Sequence, residues 1–167
     1  MADQEDLLSC LISGEVDFVL IGGLAALAHG ATLRTQDIDI CCDFSADNLM
    51  RLQQALAGLH PVHRMAPAHP ALELTPENRG SFENLYLDTD IGQLDCLGAV
   101  DGIGGFREVR ENSELISLPA GDCRVLTLDA LIRAKEAMDR PRDREAVIQL
   151  KAIRERLRGE GGAPPGP

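Results

Sequence analysis

The chain has 167 residues, is 44% hydrophobic but only 3% aromatic, lacks Trp, and carries a net charge of −11. That length fits one core built from Leu, Ile, Val and Ala, and no apolar run approaches the length of a membrane span. The acidic balance argues against a broad nucleic-acid footprint. Five cysteines without CxxC or finger spacing argue against a disulfide framework or a zinc site.

The opening Met1-Ala2-Asp3-Gln4-Glu5-Asp6 has no positive n-region of a secretory signal, so a soluble cytoplasmic protein without membrane association is expected. Residues 3–13 read as a helix with Leu7, Leu8, Leu11 and Ile12 on one side. Val16–Ile21 reads as a buried strand, and Leu24–His29 as a short helix stopped by Gly30. Asp37–Cys42 is the second strand. Ser45 or Asp47 caps a helix running to about Ala57 with Leu49, Leu52 and Leu56 inward. Leu59–Pro70 holds three His and three Pro and reads as an irregular loop. His60, His63 and His69 form either a metal cluster or, more simply, part of that loop.

Asn84–Leu97 reads as a hairpin turning at Asp88–Gly92. Gly102–Gly105 is a glycine-rich bend without the GxxxxGK[ST] of a phosphate loop. Phe106–Val109, Leu115–Leu118 and Cys123–Leu126 read as short extended pieces. Thr127 caps a helix to about Met138, and Pro141 opens a last helix to about Leu157. Residues 1–158 are expected to form one domain and 159–167 a disordered Gly/Pro-rich tail. Charge is segregated: residues 1–123 sum to −14, residues 124–158 to +4. The basic stretch reads either as a phosphate contact or as a solvated helix face laced with salt bridges.

Asp37 and Asp39 stand at i and i+2 on a strand, hence on one face about 7 Å apart. Two carboxylates so placed can hold a hard divalent cation such as Mg²⁺. The DxD pattern alone reads more readily as two solvent-facing aspartates. The pair Gly22-Gly23, at a strand-to-helix junction, lets a phosphate approach backbone N–H groups. Alternation in Gln93–Leu97 sets Asp95 on the face opposite Leu94 and Cys96, making it the natural third ligand. Asp88 and Asp90 flank a turn, where Asp is expected for its own reasons. Arg34 and Thr35 read either as phosphate contacts or as an ordinary loop pair. Lys135 shares the stripe of Leu128, Leu131 and Ile132, and Asp143 the face of Ala146, Val147 and Leu150. The two either bridge each other or meet a ligand.

Phe18 to Gly30, followed by Arg34-Thr35-Gln36-Asp37-Ile38-Asp39, resembles the minimal nucleotidyltransferases of the polymerase-beta superfamily, above all the abortive-infection and toxin–antitoxin branch. Asn84–Thr89 with Gly92–Gly98 resembles that branch's second motif, and Leu131–Lys135 with Arg140–Asp143 its C-terminal helical motif. The likeness spans roughly residues 16–157, with all three blocks in order. It implies an α/β (α+β) nucleotidyltransferase-like fold: a mixed sheet with flanking helices and two C-terminal helices. It also implies transfer of a nucleoside monophosphate from a nucleoside triphosphate such as ATP to an acceptor hydroxyl, on an RNA end or a protein. Two Mg²⁺ ions are implied, with Asp37, Asp39 and Asp95 as ligands and Asp95 as a candidate proton acceptor. Gly22 and Gly23 would cradle the triphosphate and Lys135 would contact it, with Arg34, Thr35 and Asp143 as further nucleotide-binding candidates. Gly23 stands where many members have Ser. An antitoxin partner belongs to the same expectation. The competing readings are a catalytically inactive nucleotide-binding or interaction module with the same fold, and a DxD sugar-nucleotide transferase, for which 167 residues is short.

Overall fold

The computed structural model describes residues 2–162. Helix α1 (Ala2–Ser13) buries Leu7, Leu8 and Leu11. Strand β1 (Phe18–Ile21), four apolar residues in a row, is buried throughout and passes directly into α2 (Gly22–Ala28). Helix α2 therefore starts two residues before the expected Leu24. Strand β2 (Ile38–Cys42) follows, then α3 (Ala46–Leu56), capped by the Ser45 hydroxyl, which accepts from the Asn48 N–H at 3.4 Å. The stretch read as an irregular loop contains a two-residue strand, β3 (Val62–His63). Strands β4 (Asn84–Thr89) and β5 (Gly92–Leu97) make the expected hairpin with a tighter turn, since Thr89 already pairs with Gly92.

The glycine-rich bend joins a small ribbon of β6 (Ala99–Val100) and β7 (Gly104–Gly105). Phe106–Val109 is not extended. It opens helix α4 (Phe106–Glu111), which buries Val109 and pairs Arg107 Nε with Glu111 Oε1 at 3.3 Å, one turn apart. Four residues are too short a window for apolar spacing to separate strand from helix. Strands β8 (Ser113–Leu118) and β9 (Gly121–Leu126) form a second hairpin. Thr127 caps α5 (Leu128–Met138) as expected, its hydroxyl accepting from the Ala130 N–H at 3.3 Å. Helix α6 (Pro141–Gly162) opens at the anticipated proline but runs past Leu157. Residues 159–162, expected to be disordered, are thus helical; 163–167 lie outside the described residues.

Seven strands form one mixed sheet in the order β3-β4-β5-β2-β1-β9-β8. The β2–β5 and β1–β9 pairs are parallel and the others antiparallel. The fold is the expected mixed α/β sheet with flanking helices and a C-terminal pair, α5 and α6, packed on each other. Leu20, Ile38, Ile40, Leu85, Leu87 and Leu94 of the sheet belong to one core with Leu7 and Leu11 of α1 and Leu49, Leu52 and Leu56 of α3. In β4 and β5 the alternate residues Asn84, Tyr86, Gln93 and Asp95 remain half-buried. That half-open face carries the chemistry described below.

Asn48 fixes α3 to the sheet. Its side chain is buried, accepts from the Asp17 N–H at 2.7 Å, and donates to the carbonyls of Asp17 and Asp43 at 2.9 and 2.6 Å. It thereby satisfies main-chain groups flanking both central strands. Asn48→Ala leaves buried polar groups without partners and is expected to cost about 2–4 kcal/mol, read as a lower urea midpoint at unchanged m-value.

Candidate active site

The register of the sheet assembles the site. Asp39 pairs directly with Asp95 across the parallel β2–β5 ladder, so the two side chains stand abreast on the same face. On the far side of Asp95 lies Tyr86, its partner in β4. Beyond Tyr86 lies Arg64, whose N–H donates to the Tyr86 carbonyl at 2.9 Å. On the other side of Asp39 is Ile21, the last residue of β1. The row Arg64, Tyr86, Asp95, Asp39, Ile21 therefore crosses four ladders and ends at the Gly22 corner. Asp37 and Gln93, each two residues earlier on its chain, lie beside this row.

The glycines are there because of the aspartates. Gly22 has φ +68°, and a Cβ on it would run into the Asp39 carboxylate, standing 2.9 Å from the Asp39 Cβ. A side chain is excluded twice over, by backbone conformation and by space. A Cβ on Gly23 would stand 2.8 Å from the Cβ and hydroxyl of Thr35, and that hydroxyl donates to the Asp37 carbonyl at 3.1 Å. Gly22, Gly23, Thr35, Asp37 and Asp39 thus form one contiguous corner. Arg34 is exposed and takes no ion pair among the described residues.

The three aspartates meet different partners. With its amide oriented to donate, the Gln93 nitrogen lies 3.0 and 3.1 Å from the two Asp37 oxygens. Asp95 Oδ1 accepts from Arg64 Nη1 at 2.6 Å. The same Arg64 nitrogen reaches the Leu87 carbonyl at 3.4 Å, and its guanidinium sits 5.7 Å from the Tyr86 ring centre. That hydrogen bond to Asp95 raises the guanidinium pKa further, so Arg64 is a fixed positive charge. Asp39 takes no side-chain hydrogen bond among the described residues. Burial first, then the charges of Asp95 and Asp37, push its carboxyl from 3.8 up to about 6, while Lys135 and Arg142 oppose the rise.

Those opposing cations come from the C-terminal helices. Lys135 is nearly buried, its Nζ 3.9 Å from Asp143 Oδ1; burial lowers its pKa and Asp143 resists. Asp143 is buried and accepts from Arg140 three times, from Nε at 2.5 Å, Nη2 at 3.1 Å and the backbone N–H at 3.2 Å. Burial works to raise the Asp143 carboxyl, but Arg140 and Lys135 hold it below its ordinary value. Of the two readings of Lys135 and Asp143, the structure thus shows the pair, with Arg140 as the closer partner. The loop histidines disperse: His60 Nδ1 lies 2.6 Å from Asp90 Oδ2, His63 stacks on Phe82, and His69 is exposed.

Sequence reasoning had not singled out Arg64, Gln93 or Tyr86. Gln93 and Tyr86 carried a usable signal, because period-2 alternation sets both on the face of Asp95. Arg64, 31 residues from Asp95, carried none.

No protein-family model matches the chain and no curated protein matches it in sequence. Solved structures do match in shape. The lincosamide antibiotic adenylyltransferase LnuA, bound to lincomycin, superposes with a TM-score of 0.60 at 16% identity, over 91% of this chain and 96% of that one. The solution structure of the antibiotic-resistance factor ANT(2'')-Ia gives 0.55 at 15% identity, over 96% and 92%. The crystal structure of ANT(2'')-Ia with adenylyl-2''-tobramycin gives 0.52 at 16%, over 91% and 95%. The chain has a nucleotidyltransferase fold.

Divalent metal belongs to what the sequence likeness implies, and the donor set fits it in part. Asp37, Asp39 and Asp95 are hard oxygen donors, and the unpartnered, strongly raised Asp39 marks negative charge in want of a cation. Yet among the described residues no three acidic, His or Cys side chains converge closely enough to share one ion. Asp95 faces Arg64 instead. Asp37 and Asp39 would hold the metal, and Asp95 would join them only on leaving Arg64.

The raised Asp39 has a stability signature. Its folded pKa of about 6 exceeds the ordinary 3.8, so its ionised form is disfavoured in the folded metal-free protein. The cost is absent below about pH 4, accumulates between pH 4 and 6, and is complete above 6, on the order of 2–3 kcal/mol. In EDTA, Asp39→Asn is expected to melt higher than wild type at pH 7.5 and equally at pH 4, by calorimetry at both pH values.

Proposed function

We propose that the chain is a nucleotidyltransferase that moves a nucleoside monophosphate from a nucleoside triphosphate to an acceptor hydroxyl. The observation that carries this reading is the Asp39–Asp95 pair on the parallel ladder beside the Gly22 corner. Acidic side chains that could bind metal stand there beside the start of α2, whose backbone N–H groups a triphosphate would meet. The fold neighbours support it at the level of the scaffold, since LnuA is an adenylyltransferase and ANT(2'')-Ia is seen in complex with adenylyl-2''-tobramycin.

In this reading Gly22 and Gly23 admit the triphosphate to the start of α2, and Lys135 lies across the site with a charge that offsets the departing pyrophosphate. Arg142, exposed and without an ion pair among the described residues, is a second candidate for that role, together with Arg34 and Thr35 beside Gly23. Mg²⁺ held by Asp37 and Asp39 would supply Lewis-acid charge to the phosphate oxygens. The acceptor oxygen forms its bond to the α-phosphorus, the bond from that phosphorus to the β-phosphate bridging oxygen breaks, and the acceptor proton passes to the Asp95 carboxylate. Asp143 serves Arg140 and Lys135 and orients them rather than meeting nucleotide.

The sequence likeness supports an RNA end or a protein as acceptor, and with it a toxin role and an antitoxin partner. The neighbours' names, lincosamide adenylyltransferase and adenylyl-tobramycin, favour a small hydroxylated molecule. A body of charge −11 favours an acceptor that is not itself a polyanion, so a protein or a small molecule stands ahead of RNA. The binding-only reading is favoured by one observation, the closed Arg64–Asp95 ion pair.

One assay separates these readings. The protein is incubated with each α-³²P-labelled triphosphate, Mg²⁺, and total RNA, total protein or a small-molecule extract. Label is expected in one acceptor pool, with Asp39→Asn lowering transfer at least about a thousandfold. Magnesium-dependent nucleotide binding without transfer to any pool would leave the binding module.

A further inference from the structure

Arg64 occupies the place on Asp95 that a metal ion would need. Its Nη1 lies 2.6 Å from Asp95 Oδ1, closer than ordinary N–H···O bonds and typical of a charge-assisted pair. Only about one fifth of each side chain is exposed, 20% for both. The guanidinium is further held by the Leu87 carbonyl and by the face of Tyr86. This anchoring is stiff on one side only. Arg64 follows β3, a two-residue strand at the sheet edge, and its neighbour Met65 is 73% exposed. The backbone of Asp95, by contrast, lies inside a six-residue strand paired on both sides.

We propose that Arg64 is a built-in cation that competes with divalent metal for Asp95. In the free protein the guanidinium neutralises Asp95, and metal enters at Asp37 and Asp39 alone. Asp95 becomes a ligand only when Arg64 leaves it, so Arg64 sets the cation affinity and stoichiometry of the site. The guanidinium brings one positive charge to Asp95, where a divalent ion would bring two. Arg64 is thus a positioning residue whose effect passes through Asp95. The inference rests on the metal reading given under Proposed function.

Mn²⁺ binding to the full chain, followed by electron paramagnetic resonance and by melting temperature with and without Mn²⁺, tests it. Arg64→Gln is expected to bind Mn²⁺ about tenfold tighter or to take a second ion, and to melt lower than wild type in EDTA but recover with Mn²⁺. Asp95→Asn added to Arg64→Gln is expected to remove the gain. Arg64→Lys, which keeps a charge on a folded background, is expected to bind Mn²⁺ as wild type does. Equal Mn²⁺ affinity in wild type and Arg64→Gln overturns the proposal. If both bind Mn²⁺ equally, the metal reading still stands; if neither binds it, that reading falls as well.

Discussion

Two carboxylates laid side by side on a parallel ladder are the constraint around which this molecule is arranged. Asp39 and Asp95 are register partners on neighbouring strands, and Asp37 adds a third negative charge two residues away. Like charges directly opposed on a sheet face repel, and partial burial removes the water that would screen them. A fold that keeps such a cluster must surround it with compensation. Arg64 answers Asp95, the Gln93 amide answers Asp37, and Lys135 and Arg142 act on Asp39 from the C-terminal helices. Of the three, Asp39 is left with the least, and its carboxyl is pushed up to about 6.

The core makes that cluster affordable. Residues alternating with the aspartates, Ile38, Ile40, Leu94 and Cys96, are fully buried. They pin the register, because a slip of one residue would send all of them into water and the aspartates into the core. Asn48 performs a similar service at the other end of β1 and β2 by satisfying the main chain at Asp17 and Asp43. The thiols here are inert packing: burial pushes Cys41 up to about 12 and Cys123 up to about 11. The glycine corner completes the geometry, since Asp39 leaves no room for a Cβ at Gly22.

What could be read from the sequence was whatever depends on local period. Alternation set Asp37 with Asp39 and put Asp95 opposite Leu94 and Cys96. The glycine pair after an apolar strand marked the corner, and Thr127 and Pro141 marked helix starts. The strand pairing that joins Asp39 to Asp95 is non-local: alternation made Asp95 a candidate third ligand but could not give its register. Arg64 was out of reach for the same reason: its role depends on β3 adding to the sheet edge, and a two-residue strand among prolines leaves no periodic trace. Helix α4 was misread because Phe106 and Val109 are its only inward apolar residues. The run of α6 past Leu157 was missed because Gly159 reads as a stop, although charged residues such as Glu155, Arg156 and Arg158 are good helix formers.

Much of the basic stretch pairs on the helix surfaces, Arg144 with Asp139, Lys151 with Glu136, Arg154 with Asp129 and Arg158 with Glu155. The first 123 residues carry the excess of acid and residues 124–158 the excess of base, and the sheet aspartates are exactly where the second stretch returns to the first. Helices α5 and α6 and the link between them bring Lys135, Arg142 and Arg140 to the side of the site facing Asp39. Arg140 is taken up by the buried Asp143, which also holds Lys135 near it. A net-acidic chain is not generally attractive to polyanions. The charge excess of residues 124–158 is chiefly a salt-bridged helix surface, and within it Lys135 and Arg142 are the cations whose charge is felt at Asp39.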